Sequence, residues 1–207
     1  MSIPVSEIRV RLIGALNAMP ASAEELRELD AALGDGDLGV TVKAGSLAAA
    51  DAIAKLPPDA ALGDVLIAAG KAFSTANPST FGALVGGGLL AAAKTVAGRQ
   101  EAGREEALAM GRAVATRIAE RGKAQLGDKT LLDALVPSLD TLEACEPGSG
   151  DERALLDAMI DTADRQVRAT AALQSKKGRA AWVQERSIGH ADPGATAWLR
   201  FLQAWRG

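Results

Sequence analysis

The chain has 207 residues, of which 48% are hydrophobic and 24% charged, and its formal net charge is −3. These values are typical of a folded globular protein and exclude a disordered or collagen-like chain, and the net charge offers no attraction to nucleic acid or to an anionic membrane. The length predicts one domain over residues 1–207. Because 44 residues are alanine and only 3% are aromatic, close-packed helices are favoured over strands, and an all-α fold is predicted.

The chain contains one cysteine, Cys145, and one histidine, His190. This pair can form neither an intrachain disulfide nor a zinc site with the usual four nitrogen or sulfur ligands. The N-terminal stretch carries Glu7 and two arginines instead of the features of a signal peptide, and Asn77 and several glycines interrupt the apolar stretch 73–93. The sequence therefore predicts a cytoplasmic protein with no membrane and no nucleic acid among its partners.

The first predicted element is an amphipathic helix whose apolar residues recur at spacings of three and four, namely Val5, Ile8, Leu12 and Leu16. It is predicted to end near Pro20. Ser22 followed by Glu25 has the spacing of a capping box, which predicts a second helix that runs to the glycines at 34–39.

Further helices are predicted from apolar periodicity at roughly 40–55, 62–75, 81–97, 103–121, 130–144, 151–173 and 193–205. No window alternates β-branched residues with a period of two, so no sheet is predicted. The short connections favour antiparallel neighbours. Eight or nine helices joined in this way predict an antiparallel eight-helix up-and-down bundle or barrel.

The run Gly86-Gly87-Gly88 lies inside one of these helical stretches. Glycine costs about 1 kcal/mol in a helix relative to alanine, so the run needs a physical reason. The apolar residues on both sides favour a helix in which the glycines let a neighbouring helix approach closely. A loop is the alternative interpretation.

The strongest chemical signal is the segment 29–39, which reads LDAALGDGDLG and places Asp30, Asp35 and Asp37 within eight residues. Three carboxylates held close together repel one another unless a cation neutralises them, and oxygen-only ligands select a hard ion such as Mg²⁺. The spacing does not fit an EF-hand. A solvated turn in which Asp35 or Asp37 caps the following helix is the alternative interpretation.

Two further polar segments lie beside predicted helix starts. In the GDKT turn at 127–130, amides near Thr130 could face an anion, and a loop with Asp128 as helix N-cap is the alternative. In the segment 176–192, Asp192 before proline has the pattern of an N-cap. His190 is interpreted as a turn residue, with catalysis as the alternative. The common nucleotide-binding glycine motifs, each preceded by a strand, are missing from the sequence.

Taken together, three motifs resemble the nucleotide-binding L subunits of dihydroxyacetone kinases. They are the acidic segment 29–39, the GDKT turn at 127–130, and the segment 177–195, which reads KGRAAWVQERSIGHADPGA. Their order and spacing cover nearly the whole chain. The resemblance implies an antiparallel barrel of eight helices with the nucleotide on its rim.

The resemblance also implies a set of site residues. Asp30, Asp35 and Asp37 would hold two Mg²⁺ ions that bind ATP or ADP, and Arg179 would be the catalytic arginine. The implied nucleotide contacts are Gly39, Val40, Thr41, Ser79, Thr80, Gly82, Gly122, Leu131, Arg179, Asp192, Pro193 and Gly194, with the last three near the sugar and base. For Arg179 the alternative is a surface ion pair with Glu185, in which case Lys129 is the next candidate for catalysis.

The implied activity is phosphoryl transfer from ATP to a small ketose that a separate K-type substrate-binding subunit holds. A phosphotransferase-linked form, with ADP as a permanently bound cofactor, is the second hypothesis. A non-catalytic regulatory module that binds nucleotide is the third. The chain shows no pattern for anchoring a ketose, so the isolated chain is not expected to phosphorylate one, and a homodimer is a further partner hypothesis.

The sequence departs from the family pattern in two places. The family usually has histidine after the third aspartate, where this chain has Leu38, and its phosphate loop resembles Gly-Gly-x-Ser-Gly, where this chain reads NPSTFG at 77–82 with Phe81 in place of serine. The hydroxyls of Ser79 and Thr80 and the amides of the next helix are expected to replace the lost contacts. These departures indicate a divergent branch that acts on another short ketose, such as a tetrulose.

Overall fold

The structure, a computed structural model, describes residues 2–145 and 151–207, and helices make up most of this part of the chain. They are α1 (Val5–Ala18), α2 (Ala23–Leu33), α3 (Leu38–Ala54), α4 (Leu62–Ala76), α5 (Thr80–Thr95), α6 (Arg104–Gly122), α7 (Leu132–Ala144), α8 (Glu152–Thr170) and α9 (Pro193–Arg206). Two 3₁₀ helices, Met19–Ser22 and Arg179–Ser187, lie between α1 and α2 and between α8 and α9. Among the described residues, no helix combines the length and the apolar character needed to cross a membrane.

The helices other than α2 form a closed ring in the order α1, α3, α4, α5, α6, α7, α8, α9, and α9 packs back against α1. Contacts across the ring show the antiparallel order. Arg9 near the start of α1 donates to the carbonyl of Ile53 near the end of α3, and Arg104 at the start of α6 donates to the carbonyl of Leu142 near the end of α7. Helix α2 packs outside the ring against α3 and α9. The predicted all-α fold and eight-helix barrel are confirmed.

Glycine allows the ring helices to approach one another closely. A Cβ at Gly45 of α3 would lie 2.8 Å from the ring of Phe73 on α4. A Cβ at Gly86 of α5 would lie 2.6 Å from the carbonyl oxygen of Gly70 on α4. Since the glycine run 86–88 lies inside α5, the interpretation as a closely packed helix is correct.

The Gly86→Ala substitution is expected to lower the free energy of unfolding by about 1–3 kcal/mol, because the added methyl group would push α4 and α5 apart. Gly87→Ala is the matched control. A Cβ at position 87 would have Arg117 Nε as its nearest neighbour, 3.9 Å away, so the better helix propensity of alanine should stabilise by up to about 1 kcal/mol. Denaturant unfolding of both variants makes the comparison, and equal effects would contradict the close contact at Gly86.

The buried apolar side chains form two large clusters and one small one. One large cluster includes Val65 and joins α1, α3, α4 and α5, and the other includes Leu135 and joins α6 to α9. The small cluster packs Leu38 of α3 with Met19 and Leu26. The side chain of Leu38, at the position where the resemblance implies histidine, therefore lies in the core and cannot contribute a ligand.

Two local predictions are wrong. Ser22 does not cap α2 with its side chain, because its backbone keeps helical angles at the end of the 3₁₀ helix, whereas a capping serine needs extended backbone. In addition, β1 (Ile3–Pro4) pairs with β2 (Glu101–Ala102) in a minimal antiparallel sheet. Strands of two residues are too short to show any alternation in the sequence.

The antiparallel order gathers four helix starts at one end of the ring. The starts of α3, α5, α7 and α9 lie there, with the ends of α1, α4, α6 and α8. The loops 34–37, 77–79, 123–131 and 171–192 therefore belong to this end, which we name the rim. Helix starts carry partial positive charge, so the rim is suited to a ligand with negative charge.

Candidate functional site

Three carboxylates meet at the rim in the connection between α2 and α3. Asp30 lies in the last turn of α2, Asp35 lies in the loop, and Asp37 directly precedes α3. One oxygen from each carboxylate lies within 4.8 Å of the others. Gly36, with φ of 73°, provides the left-handed turn that brings the second and third aspartates back toward the first. We name these three residues the aspartate cluster.

Capping does not explain the aspartate cluster. The side chain of Asp37 forms no hydrogen bond with the start of α3. The N–H of Leu38 instead donates to Oδ2 of Asp30 at 3.1 Å, which ties the start of α3 to the end of α2. Asp35 and Asp37 therefore keep their carboxylates for other partners.

Arg179 supplies positive charge to the aspartate cluster. Its guanidinium pairs with Asp35 and lies 3.5 Å from Oδ2 of Asp37. The ion pairs of Arg179 in the described residues are with these aspartates and not with Glu185, so the predicted surface pair is not the arrangement seen. Arg179 thus lies beside the proposed cation ligands.

Burial and the neighbouring Asp30 raise the pKa of the Asp37 carboxyl above its usual value. The Asp37 carboxyl is therefore harder to ionise than an isolated one. The donor atoms of the aspartate cluster are all oxygens, which suits a hard divalent cation such as Mg²⁺ better than a softer metal. The residues present fit the cation that the sequence motif implies.

A hydroxyl and amide network joins the starts of α3 and α5. Thr41 Oγ1 accepts a hydrogen bond from Asn77 Nδ2 at 2.8 Å and donates to Ser79 Oγ at 3.2 Å. Ser79 Oγ also caps α5 by accepting the N–H of Gly82 at 3.0 Å, and Thr80 beside it is exposed. The sequence marks Asn77 only as a turn residue before proline, and its link to Thr41 is visible only in the tertiary structure.

The other predicted nucleotide contacts on α3 and α6 differ in how far they are exposed to solvent. Val40 is 57% exposed on the first turn of α3. Gly39 is buried, and a Cβ there would lie 2.0 Å from the carbonyl oxygen of Ala23, so its lack of a side chain serves the packing of α2 on α3. Gly122 lies at the end of α6 beside Leu84 of α5.

Asp192 organises the second half of the rim. Its Oδ2 accepts the N–H of Ala195 at 2.7 Å, and Pro193 occupies the first position of α9, as the capping pattern predicts. A Cβ at Gly194 would lie 3.3 Å from the backbone nitrogen of Leu131. The structure therefore brings Leu131, before α7, together with Asp192, Pro193 and Gly194 at the start of α9.

Burial raises the pKa of Asp192 to about 7, helped by Asp133 and opposed by the Ala195 N–H and by Lys129. We expect the resulting stability to be fully present below about pH 4 and to be lost as pH rises through 7, because the folded carboxyl keeps a proton that the unfolded one has released. Asp192→Asn retains a capping side chain without this titration. From pH 5 to pH 8, the free energy of unfolding of Asp192→Asn should therefore show a gain of about 2 kcal/mol relative to that of the wild type.

Denaturant unfolding at the two pH values measures this gain as a difference between two proteins. All other side chains are the same in both proteins, so the difference reports on position 192. An identical pH dependence in the wild type and in Asp192→Asn would contradict a raised pKa at Asp192.

The turn that begins at Gly127 is closed by an acidic side chain from α7. Asp133 Oδ1 accepts the N–H of Gly127 at 2.6 Å, and Oδ2 accepts that of Thr130 at 2.7 Å. Asp128 caps no helix, and its carboxylate lies 3.5 Å from Lys177 Nζ. Both interpretations of this turn are therefore wrong. Asp128 is not the N-cap of α7, and the N–H groups of Gly127 and Thr130 donate to Asp133 instead of facing an anion. The spacing from Thr130 to Asp133 is that of a capping motif and was the available signal.

The polar segment before α9 contains the 3₁₀ helix Arg179–Ser187, with a kink at Gln184. His190 is exposed in the turn after it, in agreement with the turn interpretation. Trp182 is 80% exposed. Since side chains three residues apart eclipse one another in a 3₁₀ helix, Trp182 and Arg179 project from the same side. Nothing in the sequence pattern separates this tryptophan from a core residue.

A family model described as the DAK2 domain matches residues 32–207. The match covers most of the barrel, and the chain belongs to the DAK2 domain family. The resemblance seen in the three motifs is confirmed.

Two relatives place the chain more closely within this class. The ADP-binding subunit DhaL of the PEP-dependent dihydroxyacetone kinase of Escherichia coli (strain K12) is 32% identical over 205 residues, which cover 98% of this chain and 96% of that subunit. The D-erythrulose kinase of Mycolicibacterium smegmatis is 38% identical over 182 residues, which cover 87% of this chain and 31% of the kinase. The chain therefore spans about a third of the second relative.

A crystal structure of the dihydroxyacetone kinase from C. freundii, in complex with AMP-PNP and Mg²⁺, aligns with a TM-score of 0.73. The alignment covers 93% of this chain and 32% of that chain at 24% sequence identity. At this identity the likeness shows the shared fold.

Proposed function

We propose that this chain is the nucleotide-binding subunit of a two-component kinase for small ketoses. The observation that carries the proposal is the convergence of Asp30, Asp35 and Asp37 at the rim, with Arg179 beside them. An oxygen cluster next to an arginine is the combination that phosphoryl transfer needs, because that reaction depends on positioning and charge neutralisation. The relatives named above are kinases or kinase subunits.

The aspartate cluster holds Mg²⁺, with two ions in the proposed complex, and thereby orients the phosphates of ATP or ADP. Bound Mg²⁺ neutralises phosphate charge. Arg179 leaves its ion pairs with Asp35 and Asp37 and moves to the transferred phosphoryl group, where the guanidinium stabilises the charge of the transition state. Arg179 is the catalytic residue of this proposal.

The nucleotide lies across both halves of the rim. The phosphates lie at the starts of α3 and α5, where the proposed contacts are Gly39, Val40, Thr41, Ser79, Thr80 and Gly82. The sugar and base lie between the end of α6 and the starts of α7 and α9, where the proposed contacts are Gly122, Leu131, Asp192, Pro193 and Gly194. The antiparallel ring supports this division, because it places both groups at the same end of the barrel.

The ketose is held by a separate K-type substrate-binding subunit. In the described residues, His190 is exposed in a turn and is not part of a group of three or more potential metal ligands. The relatives include kinases of two short ketoses, dihydroxyacetone and erythrulose. We therefore assign a ketose of three or four carbons as the substrate class, with the tetrulose favoured by the departures at Leu38 and Phe81.

A second candidate function has its own support. The relative covered over 96% of its length is an ADP-binding subunit of a PEP-dependent kinase, and another, from Lactococcus lactis, belongs to a PTS-dependent one. In that form ADP stays bound as a cofactor, and a phosphotransferase protein supplies the phosphoryl group. The site residues and their roles are the same in both forms.

Calorimetry and turnover together test the proposal. ADP should bind the chain with Mg²⁺ and not in EDTA, and equal affinity in both would contradict the cation site. The chain, a K-type partner and each ketose of a three- and four-carbon panel are then incubated either with ATP or with PEP and phosphotransferase proteins. Phosphorylated ketose in one arm identifies the donor. Mg²⁺-dependent binding of ADP without product in either arm would mean that the chain is a non-catalytic regulatory module.

Trp182→Ala is expected to weaken association with the K-type partner by about 2 kcal/mol or more, because an exposed tryptophan beside the transferring arginine is a typical interface anchor. Its affinity for Mg²⁺-ADP should be unchanged. Trp205→Ala is unsuitable as a control because Trp205 packs against the core, so Val10→Ala, at an exposed position on α1, serves instead. Partner titration by calorimetry measures both variants, and equal affinities would exclude Trp182 from the interface.

A further inference from the structure

The segment 174–187 carries Arg179, and we name it the strap. It leaves the barrel and returns to it at nearly the same place. The N–H of Ser175 donates to Oγ of Ser187 at 2.9 Å. Just outside the strap, the N–H of Gly189 donates to the carbonyl of Ala171 at 2.7 Å. The two ends of the strap therefore lie side by side, and whatever joins them controls where Arg179 lies.

The side chain of Lys129 forms hydrogen bonds with both ends of the strap. This side chain is 2% exposed, and it is among the largest fully buried side chains of the described residues. Its ammonium donates to the carbonyl of Leu173 at 3.0 Å and to that of Ser187 at 2.5 Å. These carbonyls stand at opposite ends of the strap, so one buried cation bonds both.

The backbone of Lys129 is strained at the point where the side chain enters the core. Its φ is 61°, in the left-handed region that residues with a Cβ rarely adopt. Asp133 holds the turn in this conformation through the amides of Gly127 and Thr130. Strain of this kind persists only where the surroundings enforce it, and it is concentrated at functional positions.

We propose that Lys129 is a positioning residue that clasps the two ends of the strap and so holds Arg179 beside the aspartate cluster. The consequence for catalysis rests on the proposed function, whereas the clasp itself does not. Burial of the ammonium among backbone carbonyls leaves it no access to a phosphate. Lys129 therefore acts through Arg179 and is not itself the catalytic cation.

Two variants remove the clasp in different ways. Lys129→Met keeps the length of the side chain without the ammonium. Lys129→Gly removes the side chain but adopts a φ of 61° without strain, so it retains the turn even where the methionine variant does not fold. Lys176→Met is the matched control, because it removes a cation from the strap itself that is exposed and lies 3.8 Å from Asp128.

Hydrogen exchange of the chain without nucleotide or partner tests the clasp directly. In Lys129→Met and Lys129→Gly, the amides of the strap and of Gly189 should exchange at least about tenfold faster, while those of α3 to α5 stay as in the wild type. Lys176→Met should show wild-type exchange. Unchanged strap exchange in a folded Lys129 variant, or equal acceleration throughout the barrel, would overturn the proposal.

Kinetics with the partner test the connection to Arg179. Each Lys129 variant should lower kcat with little change in the affinity for Mg²⁺-ADP, and it should have no further effect on kcat when Arg179 is already alanine. The same fractional loss in both backgrounds would mean that Lys129 does not act through Arg179. If the chain shows no transfer at all, the proposed function fails, and the exchange result still decides the clasp.

Discussion

Replacing Arg179 with alanine is expected to lower kcat by about 10³-fold or more while changing the affinity for Mg²⁺-ADP by less than about threefold. The reason is that the guanidinium lies 3.5 Å from Oδ2 of Asp37 on an exposed segment, from which it can reach a phosphoryl group once nucleotide occupies the rim. Its charge then stabilises the transition state more than the bound nucleotide, which lowers kcat selectively when it is lost. Steady-state kinetics with the K-type partner, together with calorimetry of ADP binding, measure both quantities.

Arg112→Ala is the matched control for Arg179→Ala. Arg112 on α6 is a half-buried arginine that also has two acidic partners, Asp140 and Glu143, but these lie on α7, away from the rim. Its loss should cost no more than about 1 kcal/mol of stability and leave kcat unchanged. A drop in kcat of less than threefold in Arg179→Ala would mean that Arg179, like Arg112, forms only a surface ion pair and has no catalytic role.

Replacing Asp37 with asparagine is expected to weaken Mg²⁺-dependent ADP binding by about 100-fold or more, because even groups that only orient metal ligands contribute about 10–100-fold to affinity. Binding measured in EDTA should be unaffected. Asp140→Asn, which changes an exposed carboxylate on α7, should bind like the wild type. Calorimetry with and without Mg²⁺ makes the comparison, and similar losses in both variants would argue against a specific cation site.

The same Asp37→Asn variant should be slightly more stable than the wild type when no cation is present. Because the folded pKa of Asp37 is raised, its contribution to stability is present at low pH and is lost as pH rises through that pKa, so the ionised side chain destabilises the fold at neutral pH. The side chain is 44% exposed, and solvent screening limits the gain to about 1 kcal/mol. Asp35→Asn should show no such gain, because it removes the closer of the two ion pairs of Arg179.

Most of the helices could be predicted from local pattern, because each has an apolar stripe or a strong end signal. The spacing of Val5, Ile8 and Leu16 marks α1, and the Asp192-Pro193 pair marks the start of α9. The failure at Ser22 has a local cause as well. A capping motif requires a break in helical backbone, and the preceding 3₁₀ helix supplies none.

The candidate site was predictable where its residues are adjacent in sequence and hidden where they are not. Asp30, Asp35 and Asp37 lie within one short segment, so their crowding is visible in the sequence. The sequence provides no sign of the contact between Asn77 and Thr41, which come from separate loops. The packing role of Gly39 was hidden as well, because the carbonyl of Ala23, which leaves no room for a side chain there, belongs to another helix.

By itself, the sequence determined the helical class, the helix positions, the aspartate cluster and the family. These properties depend on composition, periodicity and short-range spacing, which folding does not alter. Only the tertiary structure decided that Arg179 pairs with Asp35 and Asp37 and that Lys129 is buried against the strap. Such contacts join residues far apart in the chain, and their existence depends on how the apolar faces of all the helices pack at once.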